Sequence, residues 1–210
     1  MLRYAISDRS RFSGDEESRQ CALVAQVERL AVAGVDLIQL RERDLPASTL
    51  VNLVRRLQAT LRTYHPAPRL LIHSRADVAI ATRAEGVHLS SSPDGLTPAQ
   101  VRTLYAAAAL PEPIVSLSCH TLAEVARARS LAASYILFGP VFEKVVANNG
   151  IVDTKVCEGT GLDLLRAASL AAGPIPVLAL GGITDSNAAA ALTTGAAGIA
   201  AIRLFLQQTR

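Results

Sequence analysis

The sequence predicts a single-domain α/β protein, a TIM (β/α)8 barrel with a truncated last helix, that occupies residues 1–210. Eight short apolar runs alternate along the chain with seven segments whose apolar residues recur at helical spacing. The runs are almost continuously apolar, which is typical of parallel strands covered by helices. Eight regular units in 210 residues fit a closed barrel better than an open sheet.

The eight predicted strands are short and regularly spaced. They are LRYAIS from residue 2, VDLIQL from 35, RLLIH from 69, GVHLS from 86, PIVSLS from 113, SYILFG from 134, IPVLAL from 175 and GIAAIR from 198. Only RLFLQQTR follows Ile202, so the eighth helix is expected to be short.

Seven helices are predicted between these strands. They cover residues 16–33, 46–64, 77–83, 97–107, 121–132, 162–171 and 186–194. Thr97 followed by Pro98 is a typical helix start, and Gly34, Gly86 and Gly195 are expected as left-handed helix caps. Residues 142–161 have weak periodicity and several turn formers, which predicts a long loop after the sixth strand.

Composition narrows the class of function. Only eight residues are aromatic (four Tyr, four Phe, no Trp) and the net charge is +3 with scattered arginines, so nucleic acid is not an expected partner. No apolar stretch approaches the ~18 residues of a membrane span, and the start of the chain lacks the apolar segment of a secretory signal. We therefore expect a cytoplasmic protein. Cys21, Cys119 and Cys157 are too widely spaced to suggest a disulfide framework or a zinc site.

In a parallel barrel the active site lies at the carboxyl ends of the strands. The residues that this rule selects are Ser7, Asp8, Gln39, Arg41, Arg43, His73, Ser74, His88, Ser118, His120, Gly139, Gly181, Gly182 and Arg203. Three of the four histidines are among them, whereas His65 follows a helix and is expected at the surface.

The stretch ALGGITDSN, residues 179–187, is the clearest candidate site. Paired glycines after the seventh strand allow a ligand to approach the backbone, and the next helix begins with free N–H groups, which suits a phosphate. Gly181 and Gly182 are therefore predicted to bind phosphate, together with Ile202 and Arg203 after the eighth strand. The alternative is that the glycines only form a tight turn.

In IQLRERD, residues 38–44, polar residues alternate with apolar ones. Gln39, Arg41 and Arg43 would therefore share one face and point into the barrel mouth. Arginine matches carboxylate and phosphate geometry, so substrate contact is predicted. The alternative is that Glu42 or Asp44 pairs with one of these arginines.

Ser118 and His120, in SLSCH, alternate on one face after the fifth strand. A histidine can exchange protons near neutral pH and a neighbouring hydroxyl can orient a substrate. Acid/base catalysis is predicted, and a purely structural His120 is the alternative. A serine nucleophile is a weaker hypothesis, because no G-x-S-x-G elbow surrounds Ser118.

Taken together, YAISD, DLIQLRERD, EGVHLSS, SLSCH, YILFGPVFE and VLALGGIT resemble the thiamine phosphate synthase and TenI superfamily over nearly the whole chain. The resemblance implies a TIM barrel that acts on a phosphorylated thiazole, with a pyrimidine diphosphate as second substrate in the synthase branch. It also implies that His73, Gly139 and Phe142 contact substrate.

This sequence departs from the synthase branch of that family at several positions that bind substrate or magnesium. His73 and Ser74 stand where synthases have an asparagine and a magnesium-binding aspartate. At a second magnesium position the sequence has Pro93, with Asp94 one residue later. Arg43 replaces a lysine of the synthases. A hydroxyl with a histidine is a poor site for a hard cation. The resemblance therefore implies the TenI-like branch, a metal-independent thiazole tautomerase without cofactor.

In that branch His120 would be the acid/base beside Ser118, and Arg41 would contact the substrate carboxylate. Arg203 departs from the family pattern and would be either a second phosphate ligand or an obstruction. The alternatives are a thiamine phosphate synthase with rearranged Mg²⁺ ligands and a non-catalytic protein that binds a thiazole phosphate. A homo-oligomer is possible in each case.

Overall fold

The computed structural model describes residues 1–92, 94–147 and 154–207, and these form a closed barrel of eight parallel strands surrounded by helices. The predicted (β/α)8 fold is confirmed. The barrel strands are β1 Leu2–Ile6, β2 Leu37–Leu40, β3 Arg69–His73, β4 Gly86–Leu89, β5 Ile114–Cys119, β6 Tyr135–Phe138, β9 Val177–Leu180 and β10 Gly198–Ala201. Their order around the barrel is β1-β10-β9-β6-β5-β4-β3-β2.

All seven predicted connecting helices are present. The helices are α1 Glu16–Val32, α2 Ala47–Leu61, α3 Ala76–Thr82, α4 Pro98–Ala107, α5 Leu122–Ser130, α6 Gly161–Ala171, α7 Asp185–Leu192 and a short final α8 Arg203–Gln207. Thr97 caps α4 and accepts a hydrogen bond from the backbone of Gln100, as predicted for a Thr-Pro start. Within the described ranges, no helix has both the length and the apolar character needed to cross a bilayer.

Two sequence predictions about the connections were wrong. A long loop was predicted at 142–161, but part of this stretch is a two-stranded antiparallel sheet. Its strands are β7 Lys144–Ala147 and β8 Thr154–Cys157. Residues 148–153 of the predicted loop lie outside the described residues. The turn formers in this stretch favoured a loop over a pair of strands. Gly86 is not a helix cap, because Arg83 closes α3 in the left-handed conformation. A Cβ on Gly86 would lie 1.9 Å from the Ile114 carbonyl oxygen, so glycine is needed where β4 meets β5.

The core has two layers. Outside the barrel, helices pack on the sheet through faces such as Leu50, Leu53 and Leu57 of α2, which recur at helical spacing and are buried. Inside the barrel, Tyr4, Leu37, Leu71, Leu137, Leu178 and Ala200 fill the lower part. Because side chains alternate along each strand, the next inward positions toward the carboxyl ends hold the polar residues of the barrel mouth.

Candidate active site

A continuous set of polar side chains lies above the apolar layer inside the barrel. His88 is 2% exposed, and both of its ring nitrogens are hydrogen-bonded: Nδ1 to Ser116 Oγ at 2.9 Å and Nε2 to Ser118 Oγ at 2.9 Å. The Tyr4 hydroxyl contacts Ser116 Oγ at 3.0 Å at the lower end of this set. His88 therefore links Ser118, at the barrel mouth, to the buried Tyr4.

His73 and His88 are neighbours on β3 and β4, and their rings stack with centroids 5.5 Å apart and planes 16° apart. Burial, then the charges of Arg41 and Arg43, lower the pKa of His73 to about 4. Burial, then His73 and Arg41, lower the pKa of His88 to about 3. Both rings are therefore neutral near pH 7, and each can donate only one hydrogen bond.

Gln39 is 1% exposed at the end of β2, and its Nε2 lies 2.9 Å from His73 Nδ1. Its other amide atom, Oε1, is buried without a hydrogen-bond partner in the described part of the chain. A buried amide atom that lacks a partner carries a free-energy cost, which a ligand can remove by supplying the missing group. Oε1 of Gln39 is therefore the atom through which the predicted contact with substrate could form.

The alternative pairing of Arg41 or Arg43 with its acidic neighbours does not occur. Arg9, which is 5% exposed, donates from Nη1 to Glu42 at 3.0 Å and from both Nη1 and Nη2 to Asp44 at 2.7 Å. Neither the Arg41 nor the Arg43 side chain forms an ion pair with any residue that the structure describes. Burial, then the like charge of Arg43, lowers the pKa of Arg41. Two arginines that form no ion pair with the described residues therefore lie at the mouth.

Ser118 and His120 are both at the end of β5 but have different partners. Ser118 is half-buried and bonded to His88, whereas His120 is exposed and its Nδ1 is hydrogen-bonded to the Gly139 carbonyl oxygen after β6. The predicted Ser118–His120 pair is therefore not a hydrogen-bonded pair. The serine instead forms its bond with a histidine from the neighbouring strand β4, which a search along β5 alone does not reveal.

The glycine turn after β9 has a left-handed backbone, with φ +92° at Gly181 and +66° at Gly182. A Cβ on Gly182 would lie 2.5 Å from the Glu143 carbonyl oxygen and 2.7 Å from Phe142 Cβ. Phe142 thus packs over the turn, and its backbone N–H donates to the Gly181 carbonyl at 3.0 Å. Asn187 fixes the far side, where it accepts from Thr184 N and donates to the Gly182 carbonyl.

The two other predicted phosphate ligands follow β10, the neighbour of β9. Ile202 is half-buried and packs against the apolar layer inside the barrel, so its side chain is not directed at a phosphate. Arg203 is exposed at the first position of α8. Its predicted role as a phosphate ligand or an obstruction remains a prediction.

The family resemblance implies Mg²⁺ in the synthase branch, so the donor groups at that place matter. Ser74 is exposed with φ +54°, and its N–H donates to the His88 carbonyl at 2.8 Å. Pro93 lies outside the described residues, and Asp94 is exposed in a turn. No group of three or more His, Cys, Asp or Glu side chains in the described ranges could hold a metal ion. A hydroxyl beside a histidine does not fit Mg²⁺, which prefers carboxylates.

Three functional residues were missed by sequence reasoning. Tyr4 and Ser116 belong to the hydrogen-bonded set around His88, and Arg9 determines the charge state of the mouth. Ser116 shares the inward parity of Ser118, so strict alternation along SLS could have indicated it. Arg9 carries no such sequence pattern, because its partners Glu42 and Asp44 are more than thirty residues away along the chain.

The fold and these residues define a (β/α)8 barrel whose mouth holds Arg41, Arg43 and a left-handed glycine turn. The family model described as "Thiamine monophosphate synthase" matches residues 4–205. The chain therefore belongs to the thiamine phosphate synthase/TenI family, and its function lies in thiamine biosynthesis.

Individual relatives agree with the family model. "Thiamine-phosphate synthase" of Neisseria meningitidis is 36% identical over 177 residues, which is 84% of this chain and 80% of that protein. The "Putative thiamine-phosphate synthase" of Geobacter sulfurreducens is 38% identical over 205 residues, which is 97% of this chain and 85% of that protein. The solved structure "Thiamine phosphate pyrophosphorylase from Pyrococcus furiosus" has a TM-score of 0.74 and 27% identity, covering 96% of this chain and 85% of that one. These relatives favour the synthase alternative over the tautomerase.

Proposed function

We propose that this protein is a transferase of the thiamine phosphate synthase type, which joins a thiazole phosphate to a pyrimidine diphosphate and releases pyrophosphate. The observation that carries the proposal is that one barrel mouth holds two groups of residues suited to anions, which we call the anion-binding regions. One is the Gly181–Gly182 turn after β9. The other is Arg41 and Arg43 after β2, which form no ion pair with the described residues. These strands are three positions apart around the barrel, so two phosphorylated substrates can bind side by side.

In this reaction the thiazole nitrogen supplies the electron pair of a new C–N bond to the pyrimidine methylene carbon. The C–O bond to the diphosphate breaks, and its electron pair leaves with the diphosphate oxygen. No oxidant, reductant or external proton is required. The protein's task is to position the two substrates and to stabilise negative charge on the leaving group, which guanidinium groups can do.

The other residues at the mouth have complementary roles in this proposal. Gln39 offers its unpartnered Oε1 as an acceptor to an amino group of the pyrimidine. Ser118, held by His88, lies at the end of β5, across the barrel mouth from β10 and β1, which separate the two anion-binding regions. His120, anchored on Gly139, and Phe142, packed on the glycine turn, would enclose the thiazole.

A thiazole tautomerase is the second candidate, because proton-transfer groups are concentrated at the ends of β4 and β5. His88, Ser118 and His120 could move protons within one substrate. This reaction requires a single phosphate site and leaves Arg43 without an assigned task.

One pair of assays distinguishes the candidates. The protein is incubated with thiazole phosphate and pyrimidine diphosphate, and separately with the exocyclic-alkene carboxythiazole phosphate, each with Mg²⁺ and with EDTA. We expect thiamine phosphate and pyrophosphate in equal amounts in the first assay. Isomerisation in the second assay alone, abolished in a folded His120→Ala variant, would replace the synthase by the tautomerase. Binding of thiazole phosphate without turnover in either assay would favour a non-catalytic protein.

A further inference from the structure

A cavity of about 330 Å³ opens beside the barrel mouth, at the carboxyl ends of β2, β3 and β4. This volume is at the lower end of the range for small-molecule sites. Its lining includes Arg43, His73, Ser74, Arg75 and Ser90. Cations, hydroxyls and a neutral imidazole therefore share the cavity wall with Leu40, Leu50 and Glu42.

The carboxylates near this cavity are already engaged. Glu42 lines it but accepts from Arg9 at 3.0 Å and from Ser7 at 2.5 Å, and Asp77 holds Arg75 through two bonds of 2.9 and 2.6 Å. Arg43 has neither an ion pair nor a hydrogen bond to the described residues. The net field in the cavity is therefore positive, which attracts an anion and repels a divalent cation.

The hydroxyl positions are also suited to an anion. Ser74, at φ +54°, occupies a backbone conformation that is unusual for serine and costly unless the surroundings impose it. Its N–H is fixed on the His88 carbonyl at 2.8 Å, which ties the loop after β3 to the hydrogen-bonded set inside the barrel. Ser74 and Ser90 then lie on the cavity wall that also holds Arg43.

From these contacts we propose that the cavity binds the diphosphate group of an organic diphosphate directly, through Arg43, Ser74 and Ser90, without a divalent metal. The proposal rests on the proposed transferase function, whose leaving group is a diphosphate. The Arg43 guanidinium takes the place of a metal at the cavity wall, and Arg41 lies two residues before it. Neither arginine forms an ion pair with a described carboxylate.

The test is calorimetric titration of the full-length protein with inorganic pyrophosphate, in EDTA and again with excess Mg²⁺. We expect binding in EDTA, and equal or weaker binding with Mg²⁺, because the metal complex carries less negative charge. Arg43→Gln should weaken binding about tenfold or more, the effect of losing one charge-assisted hydrogen bond. Arg43 is exposed, so this substitution does not disturb the core.

A matched control exists on the outer wall of the barrel. Arg55 lines another cavity, of about 360 Å³, with Arg62 and Arg83 between α2 and α3. Arg55→Gln removes the same charge and should leave pyrophosphate binding unchanged. Gly182→Ala serves as a second variant, because it alters the phosphate turn but not the cavity. Binding should persist in Gly182→Ala and weaken in Arg43→Gln.

Three outcomes would overturn the inference: binding only with Mg²⁺, equal weakening by Arg55→Gln and Arg43→Gln, or loss of binding in Gly182→Ala alone. These outcomes are separate from the failure of the proposed function. Metal-free binding with no thiamine phosphate formed in any assay would retain the cavity site and remove the transferase. Mg²⁺-dependent turnover together with Mg²⁺-dependent binding would retain the transferase and remove the metal-free cavity site.

Discussion

Arg9 and Glu42 form a buried ion pair, with side chains 7% and 3% exposed and Nη1 3.0 Å from Oε2. Arg9 comes from the turn after β1, and it neutralises the acidic residue that separates Arg41 from Arg43 on the next strand's loop. Glu42 therefore forms no ion pair with Arg41 or Arg43. Charge at the barrel mouth is determined by a residue that does not itself face the proposed substrates.

We expect Arg9→Gln to destabilise the protein by about 3 kcal/mol or more, because it leaves the buried Glu42 without its cation. It should also weaken pyrophosphate binding, since Glu42 and Asp44 would become available to Arg41 and Arg43. Urea unfolding and calorimetry measure the two effects. Arg11→Gln, which breaks the more exposed pair with Asp8, should cost at most about 1 kcal/mol. Equal losses in both variants would contradict this account.

Gly182→Ala should abolish productive binding of thiazole phosphate. Both Gly182 and Gly34 have a left-handed backbone, at φ +66° and +70°, so alanine carries a similar conformational cost of about 1 kcal/mol at each. A Cβ at Gly182 also meets Glu143 and Phe142, whereas nothing lies within 4 Å of one at Gly34. Comparing KM for thiazole phosphate in the two variants isolates the turn. A normal KM in Gly182→Ala would remove the phosphate assignment.

The buried histidines predict that stability falls in mild acid. The pKa of His88 is lowered to about 3 from an unfolded value of 6.5, so between these values the unfolded chain binds a proton that the native chain does not. The contribution of neutral His88 to the free energy of unfolding is fully present above pH 6.5 and is lost as the pH falls below that value. The loss of stability amounts to about 2 kcal/mol by about pH 5, since each pKa unit corresponds to about 1.4 kcal/mol.

Urea unfolding of His88→Gln at about pH 7.5 and about pH 5 checks this dependence. The difference in unfolding free energy between the two conditions should shrink by about 2 kcal/mol relative to the parent protein. His65→Gln, on the exposed connection between α2 and β3, is the control and should retain the full difference. An unchanged difference in His88→Gln would show that this ring is not the group responsible.

Ser118→Ala should lower kcat more than it changes KM for either substrate, because His88 holds the hydroxyl at the barrel mouth. We expect about a tenfold decrease, the scale of one hydrogen bond to a charged or developing-charge group. Steady-state kinetics measures the separation. Ser130→Ala, at the end of α5 with its hydroxyl bonded to the Arg127 carbonyl, is a serine control outside the mouth. A Ser118→Ala enzyme with unchanged kcat would exclude this role.

Short-range patterns were sufficient to predict the barrel. Each strand and helix is defined by apolar spacing within four to seventeen residues, and the end of each strand locates the mouth. Gln39, His73, His88 and Ser118 were found in this way, because alternation along one strand determines which face a side chain occupies. The hairpin of β7 and β8 was not found, since the turn formers within residues 142–161 predicted a loop.

The sequence by itself determined the fold, the family and the inward positions at the strand ends, because these depend on local periodicity and on motifs read in order. Only the tertiary structure decided which partners those residues have. It pairs Ser118 with His88 instead of His120, and it pairs Glu42 with Arg9 so that Arg41 and Arg43 remain available. The physical reason is that these hydrogen bonds and charges act through space, between strands that barrel closure brings together from distant parts of the chain.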